Sequence, residues 1–429
     1  MPAIPASGCV GCDERHRTAS GDTVHRDQRL GRPAIADRIV DLVENGRGGQ
    51  PLLFAGPAGS GKEITALGIA RRLNCRDPEH CDPGPGDGGR SCESCQKAVS
   101  FQHPDIRWLG PAPASYEDSR STGKVRELLE AKIADPFASP EFSATSQVLI
   151  GNPEHPGPLT VRGLMQFARR QAFQGRWKVA VVADAHRMNP AAANALLKTL
   201  EEPPPATLII LLSDRPSSLL PTILSRCQKV TFEPYPADEL AVVVEELRPE
   251  SDPQARADAV RIAEGDARRV LALLEPEIQI LQAWAEATFL ALGEGRAVAG
   301  HVAAEHLNGG LLPRTDEKGD LDLKKGRVDD PPRRRRRALL FCETLALLTG
   351  EMIACREQGG VWQPRLRRSA ERLRTLAARR RTSSLLDDLA RIERAKHEID
   401  GNLNLGLVMA ALCEEISNHV RRDQAAAAG

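Results

Sequence analysis

The chain is poor in aromatic residues and carries no net charge. Phe, Trp and Tyr make up 3% of its 429 residues, with two tyrosines in all, which excludes an extended platform for stacking bases. Lysine and arginine number 58 and aspartate and glutamate 58, so a uniformly basic nucleic-acid binder is excluded too. Apolar residues nowhere run for 18 positions, and Met1–Gly21 is polar and cysteine-containing, unlike an export signal. The expectation is a cytoplasmic protein with no membrane partner. At roughly 150 residues per domain the length predicts about three domains. The zero balance hides an asymmetry: residues 333–429 hold 19 basic and 12 acidic residues, so residues 1–332 are acidic by the same margin.

Ten cysteines are present, four of them within residues 75–95. Cys75, Cys81, Cys92 and Cys95 have the spacing C-x5-C-x10-C-x2-C. Four thiolates enclose Zn²⁺ tetrahedrally with no open position, which suits a structural staple for the Gly/Pro-rich loop Asp82–Arg90. His80 is an alternative to Cys81 as second ligand, and four unrelated reduced thiols are the competing explanation. Cys342, Cys355 and Cys413 sit in apolar helical patterns and read as core residues. Cys9 and Cys12, with His16 and His25, form a weak second metal pattern; residues 1–27 read better as a disordered leader.

From 28 to 233 apolar runs alternate with helical patterns. The runs Pro51–Ala55, Trp177–Ala183 and Thr207–Leu212 suit strands buried on both faces of a parallel sheet. Asn189-Pro190 is an N-cap and first-turn pair opening a helix that stops at Pro203-Pro204-Pro205. The alternation predicts a doubly wound α/β domain, interrupted by a Pro/Ser/Gly-rich insertion at 111–158. Helical patterns follow over 238–247, 256–264 and 267–274, giving a small helical module at 234–275. Residues 276–429 read as an all-α domain, broken at 297–337 by Gly309-Gly310, mixed charge, Pro331-Pro332 and Arg333–Arg337. That stretch is expected to be an exposed linker or insertion.

Gly56-Pro57-Ala58-Gly59-Ser60-Gly61-Lys62-Glu63 follows the first strand and opens a helix. It matches G-x-x-x-x-G-K-[ST] except at its last position. Glycines let backbone N–H groups curl around a phosphate, and Lys62 adds a mobile charge. Glu63 replaces the hydroxyl that ligates Mg²⁺. A carboxylate there repels phosphate, yet is itself a good Mg²⁺ ligand. A loop that binds ATP with Mg²⁺, weakly or not at all, and a loop kept only for its shape both remain open.

An active NTPase ends its third strand with an Asp for Mg²⁺ and a carboxylate that orients water. Here the strand ends Ala183-Asp184-Ala185-His186, and either register leaves one of those functions empty. Little or no ATP hydrolysis is expected.

Taken in order, these motifs resemble the bacterial DNA polymerase III clamp-loader subunits. The specific matches are Asn194-Ala195-Leu196-Leu197-Lys198-Thr199-Leu200-Glu201-Glu202-Pro203-Pro204, Ser225-Arg226-Cys227, and the cysteine cluster followed by His103-Pro104-Asp105. Weaker matches are Gly265-Asp266-Ala267-Arg268 and Asn402-Leu403-Asn404. The family contains ATP-hydrolysing gamma/tau subunits and a delta-prime subunit with decayed nucleotide motifs. Glu63 and Ala183-Asp184-Ala185 side this chain with delta-prime.

The resemblance implies an AAA+ P-loop domain with a zinc-binding insertion, a helical lid at 234–275 and a C-terminal collar at 276–429. It further implies a hetero-pentamer with gamma/tau and delta subunits that places a sliding clamp on primed DNA. Arg226 matches the arginine finger that reaches a neighbour's ATP, and Arg268 the lid arginine that senses phosphates. The alternatives are an ordinary surface arginine at 226, an active gamma/tau-like ATPase, and a zinc-stapled binding protein unrelated to replication. The spacing departs from the family, whose last three cysteines lie close together, and the segments 1–27, 111–158 and 297–337 have no counterpart there.

Overall fold

The computed structural model describes residues 30–46, 49–78, 81, 91–112, 129, 137, 146–154, 156–157, 159–309, 314–315, 321–322, 331–401 and 403–428. The leader at 1–27, His80 and most of the 111–158 insertion lie outside these residues. The chain divides into two compact units, Met1–Leu247 with Gly265–Arg268, and Arg248–Glu264 with Arg269–Gly429. The helices expected to form a lid are therefore shared: Ala237–Leu247 belongs to the first unit and Pro253–Ala263 to the second.

Five parallel strands form the first unit's sheet: β1 (Leu52–Ala55), β2 (Ile106–Leu109), β3 (Lys178–Val182), β4 (Thr207–Ser213) and β5 (Gln228–Thr231), in the order β2-β3-β4-β1-β5. β1 lies between β4 and β5, with Leu52 opposite Ile210 on one side and Gln228 on the other. This is the doubly wound parallel sheet that the alternation of apolar runs and helical patterns predicts. Successive side chains of a strand face opposite ways, and here they fill two separate cores. Leu52, Phe54, Val179, Val181, Leu208 and Ile210 pack on one face with Ile39, Val43, Ile69 and Leu73. Leu53, Ala55, Ala180, Val182, Ile209 and Leu211 pack on the other with Leu164, Phe167, Leu196 and Leu200. Strands covered on both sides read as unbroken apolar runs, which is why β1, β3 and β4 stand out.

Helix ends agree with their sequence signals. Asn189 Oδ1 accepts the Ala192 N–H at 2.8 Å, capping helix Pro190–Glu201. Thr160 does the same for helix Val161–Arg169 through the Gly163 N–H at 3.2 Å. At that helix's other end, Lys178 Nζ donates to the carbonyls of Phe167 and Ala168, satisfying groups the last turn leaves free.

The second unit is helical. Helix Pro331–Gln358 packs against Pro276–Gly293, Ala370–Ala378 and Thr382–Asp400, and helix Val298–Gly309 packs against Leu405–Ala428. The linker expectation for 297–337 thus gives way at both ends. Ala303, Ala304 and Leu307 bury one side of Val298–Gly309, and Arg333–Arg337 lie in the opening turns of Pro331–Gln358. Arg337 is 5% exposed and bonds Glu277 at 2.8 Å, so this arginine belongs to the core edge and not to a solvated run. The stretch Arg334–Val361 is long and apolar enough to cross a membrane by length and composition. Its seam of Phe341, Leu345, Leu348, Met352 and Cys355 is buried within the protein, as in a core helix.

Leu385, Asp388, Ile392, Ala395 and Ile399 line the equivalent seam of Thr382–Asp400, so an aspartate occupies a core position. Asp423 repeats this on Leu405–Ala428. Both are 1% exposed and held by ions: Arg380 bonds Asp388 and Asp423 at 2.7 Å each, Arg381 and Ser384 bond Asp423, and His419 Nδ1 lies 2.6 Å from Asp388. Burial opposes ionisation of Asp423, but the bonds from Arg380, Arg381 and Ser384 outweigh it and hold the carboxyl below its ordinary value. At Asp388 burial wins over Arg380 and His419, and the carboxyl is pushed up. Removing one partner of a buried pair strands the other charge. Asp423→Ala is therefore expected to destabilise the protein by about 3 kcal/mol, read as a lower urea midpoint followed by far-UV circular dichroism. A midpoint equal to wild type contradicts the network's role.

Candidate functional site

The phosphate loop leaves the C-terminal end of β1, an inner strand of the sheet, and ligands bind beyond the C-terminal ends of strands in open α/β folds. Gly59 and Gly61 have φ of +64° and +85°, a conformation that L side chains resist. Space forbids side chains there as well: a Cβ on Gly59 would lie 1.8 Å from Asp266 Oδ1, and one on Gly61 2.0 Å from the Tyr235 hydroxyl. Lys62 Nζ donates to the carbonyls of Gly56 (2.7 Å) and Pro57 (2.5 Å) and reaches Ser60 Oγ at 3.3 Å. Burial first, then the Arg268 guanidinium, push the Lys62 ammonium down to about 8, against Asp214, Asp184 and Asp266.

Glu63 is 9% exposed and accepts the Trp108 indole N–H at 2.6 Å. The carboxylate at the Mg²⁺-ligand position is thus tied to β2. Lys62, Glu63, Trp108, Ala183, Asp184 and Arg268 are among the residues around a cavity of about 40 Å³. That is room for a few waters.

At the end of β3 the structure brings Asp184, Ala183 and Arg187 to the cavity, while Ala185 is fully buried in the opposite core. Asp184 has φ +45°, a turn that aspartate tolerates better than most residues. Asp214, just after β4, also lines the cavity and sits 3.3 Å from His186 Nδ1, which is itself 3.3 Å from Ser213 Oγ. Arg268 lies across from Lys62, its backbone N–H fixed by Asp266 Oδ1 at 2.9 Å.

Arg32 closes the loop's flank. Its backbone N–H bonds Thr65 Oγ1, and its guanidinium bonds Ser60 O, Glu233 O and Glu239 while stacking 3.9 Å from the Tyr235 ring centre. Tyr235 in turn donates to Leu30 O at 2.6 Å, and burial pushes its phenol pKa up.

Arg226 does not line this cavity. It follows the single turn Pro221–Leu224, with its side chain one-third exposed. Its Nε and Nη2 reach Glu201 Oε1 at 2.7 and 2.6 Å, and Nη1 donates to Thr222 O at 2.8 Å. The adjacent Cys227 thiol is pushed up to about 11 by burial.

The four cysteines predicted as ligands converge. Their sulfurs all lie within 4.8 Å of one another, with Cys75 and Cys92 4.0 Å apart. A tetrahedron with metal–sulfur bonds of 2.3 Å has edges of about 3.8 Å, so a Zn²⁺-sized ion fits with small adjustment. Cys75 follows helix Lys62–Leu73, Cys92 is the N-cap of helix Glu93–Val99 and Cys95 lies in its first turn. Cys75 is held down to about 5, chiefly by the Cys95 thiol as donor, whereas Cys81 is pushed up to about 11 by burial.

His103-Pro104-Asp105 fastens this module to the sheet. His103 Nδ1 accepts the Asp105 N–H at 3.1 Å, leaving its proton on Nε2, 3.0 Å from Ser94 Oγ. Ser94 passes the chain on to Asn74 O at 2.6 Å. The Asp105 carboxylate accepts three successive N–H groups, from Phe173, Gln174 and Gly175, at 2.6–2.7 Å.

Sequence reasoning missed Trp108, Asp214, Arg32 and Tyr235. Asp214 was within reach, since it directly follows the apolar run of β4. The Trp108–Glu63 bond spans 45 positions and depends on sheet order, so no local signal carries it.

Residues 31–236 match the family described as "DNA polymerase III, delta subunit". The chain is 27% identical over 202 residues to the DNA polymerase III subunit delta' of Bacillus subtilis, covering 47% of each protein. It is 34% identical over 175 residues to that of Pseudomonas aeruginosa, covering 41% of this chain and 40% of the relative. It is 29% identical over 208 residues to the subunit gamma/tau of Mycobacterium tuberculosis, covering 48% of this chain and 28% of the relative. The chain thus spans about half the length of the delta' relatives it matches.

Trp108→Phe keeps the ring's packing and removes the donor to Glu63. The expected loss is about 1–3 kcal/mol in denaturant-induced unfolding, the cost of a buried acceptor deprived of one donor. Wild-type stability in this variant means the indole bond carries no weight.

Proposed function

We propose that this chain belongs to the DNA polymerase III delta-prime family, which its similarity over residues 31–236 supports, and that it is a largely non-hydrolysing AAA+ subunit of a clamp loader. Its task in that reading is to supply Arg226 to the nucleotide of a neighbouring subunit. The partners are gamma/tau and delta subunits in a hetero-pentamer, the sliding clamp and primed DNA through the complex, and the setting is the cytoplasm. Residues 234–275 serve as the lid and 276–429 as the collar.

The observation that carries this reading is the double commitment at the phosphate loop. Glu63 is engaged by Trp108 where Mg²⁺ chemistry needs a hydroxyl, and β3 ends in one carboxylate, Asp184, flanked by alanines. Phosphoryl transfer relies on positioning and charge stabilisation, and both metal-binding elements are impaired here. Arg226 has the chemistry for a role in trans: a planar fork, permanently charged, held at the surface by the Glu201 carboxylate, the Thr222 carbonyl and the Ser225 hydroxyl. A neighbour's triphosphate competes with Glu201 for the same donors. Lys62 and Arg268 fit a phosphate sensor that has lost hydrolysis, with ATP bound weakly or not at all.

Cys75, Cys81, Cys92 and Cys95 are proposed to hold one structural Zn²⁺. The donor set supports this: four sulfurs, three of them buried, leave no open position for chemistry.

The purified chain is expected to turn over no ATP. Turnover that disappears in Lys62→Ala identifies a gamma/tau-like ATPase instead. In a reconstituted loader whose other sites are disabled, Arg226→Ala should slow the adjacent site about a thousandfold; an unchanged rate removes the finger assignment. Elemental analysis of protein purified under reducing conditions should find about one zinc per chain, lost in Cys95→Ser.

A further inference from the structure

Arg71 lies in the last turn of helix Lys62–Leu73 and is 2% exposed, a rare state for an arginine. Arg72, one position on, faces another way and pairs with Asp37 on helix Pro33–Glu44. Arg71 instead stands four positions before Cys75, which follows the same helix. Its Nη1 donates to Cys95 Sγ at 3.8 Å, with both side chains buried.

A further sulfur receives an N–H group: Cys81 Sγ accepts the Cys92 backbone N–H at 3.2 Å. The donors around the cluster are therefore those of a centre whose sulfurs are charged. A divalent ion among four thiolates carries two net negative charges, and burying uncompensated charge is costly. Among the described residues, Arg71 is the buried cation in contact with a sulfur of the cluster. A guanidinium sheds water more readily than an ammonium, which suits it to this position.

We propose that Arg71 is the counter-charge and outer hydrogen-bond donor of the four-cysteine zinc centre, and that it sets how tightly the ion is held. The proposal rests on the zinc reading above. It makes Arg71 a positioning residue: the guanidinium offsets half of the centre's excess charge and fixes the orientation of Cys95, while the four thiolates bind the ion. Outer partners of this kind change metal affinity by about 10–100-fold in other sites.

The test uses the full chain. Zn²⁺ affinity is measured by competition with a chromophoric chelator for wild type, Arg71→Met, Arg71→Lys and Arg72→Met, and Co²⁺–thiolate charge-transfer absorption is recorded for each. Arg71→Met should bind at least about tenfold more weakly and shift the Co²⁺ band, because a hydrogen bond to sulfur is lost. Arg71→Lys keeps the charge and should recover most of the affinity, and Arg72→Met should match wild type. Arg71→Met within twofold of wild type overturns the proposal. Equal losses in Arg71→Met and Arg71→Lys overturn it too, since packing and not charge is then responsible. If circular dichroism shows that Arg71→Met does not fold, Arg71→Gln against Arg71→Lys decides by the same criteria. Wild-type protein that binds no zinc refutes the underlying zinc reading, an outcome distinct from zinc binding that is indifferent to Arg71.

Discussion

The phosphate loop has no room to spare, and the first unit is arranged around that fact. Gly59 abuts Asp266 and Gly61 abuts the Tyr235 hydroxyl at distances that no side chain on the loop permits. Tyr235 is in turn stacked under Arg32 and tied to Leu30, and Arg32 is bonded to Ser60 within the loop. The beginning of the described chain, the exit from β5 and the residues around Asp266 therefore meet on one turn of backbone. The loop thus works as a joint, and packing alone requires its glycines.

The same economy governs the charged groups. Lys62, Glu63 and Arg32 each have protein partners, and those partners come from β2, from the loop's own carbonyls and from residues near 233–239. Buried polar groups are tolerable only when satisfied, so these bonds stabilise the fold by avoiding a penalty more than by adding attraction. The helical unit solves a related problem at Asp388 and Asp423. There aspartates interrupt two apolar seams, and Arg380 bridges them at the cost of desolvating all three ions. Such a bridge fits one alignment of the helices and penalises others, since a slip by one turn would separate the arginine from both carboxylates.

How much of this was legible in the sequence follows from what is local. β1, β3 and β4 are covered on both faces, so their apolar runs announce them; the expected 207–212 run differs from β4 by one residue. β2 and β5 are edge strands of four residues; β5, Gln228–Thr231, is mostly polar, and β2, Ile106–Leu109, is apolar but interrupted by Arg107 and too short to show a run. Cap signals such as Asn189-Pro190 act within one turn and are readable. The cysteine cluster was visible by type and spacing, and Asp105 through the match at 103–105, whereas Arg71 and Ser94, which contact the cluster and its flanking chain, look like ordinary helix residues. Helix Val298–Gly309 escaped because its buried face is mostly alanine, a weak apolar signal next to Gly309-Gly310.

The strand order also has a temporal side. Leu52 is synthesised well before Ile210 and Gln228, yet these are its partners in the sheet. Until β4 and β5 have been made, β1 has neighbours on neither edge and apolar side chains on each face. Contacts this distant in sequence close slowly, and unpaired apolar edges invite association with other chains. The four cysteines can come together in the meantime, because they lie within residues 75–95. A nascent chain arrested before residue 207 therefore holds β1 unpaired, and the completion of the last two strands is the step that protects it.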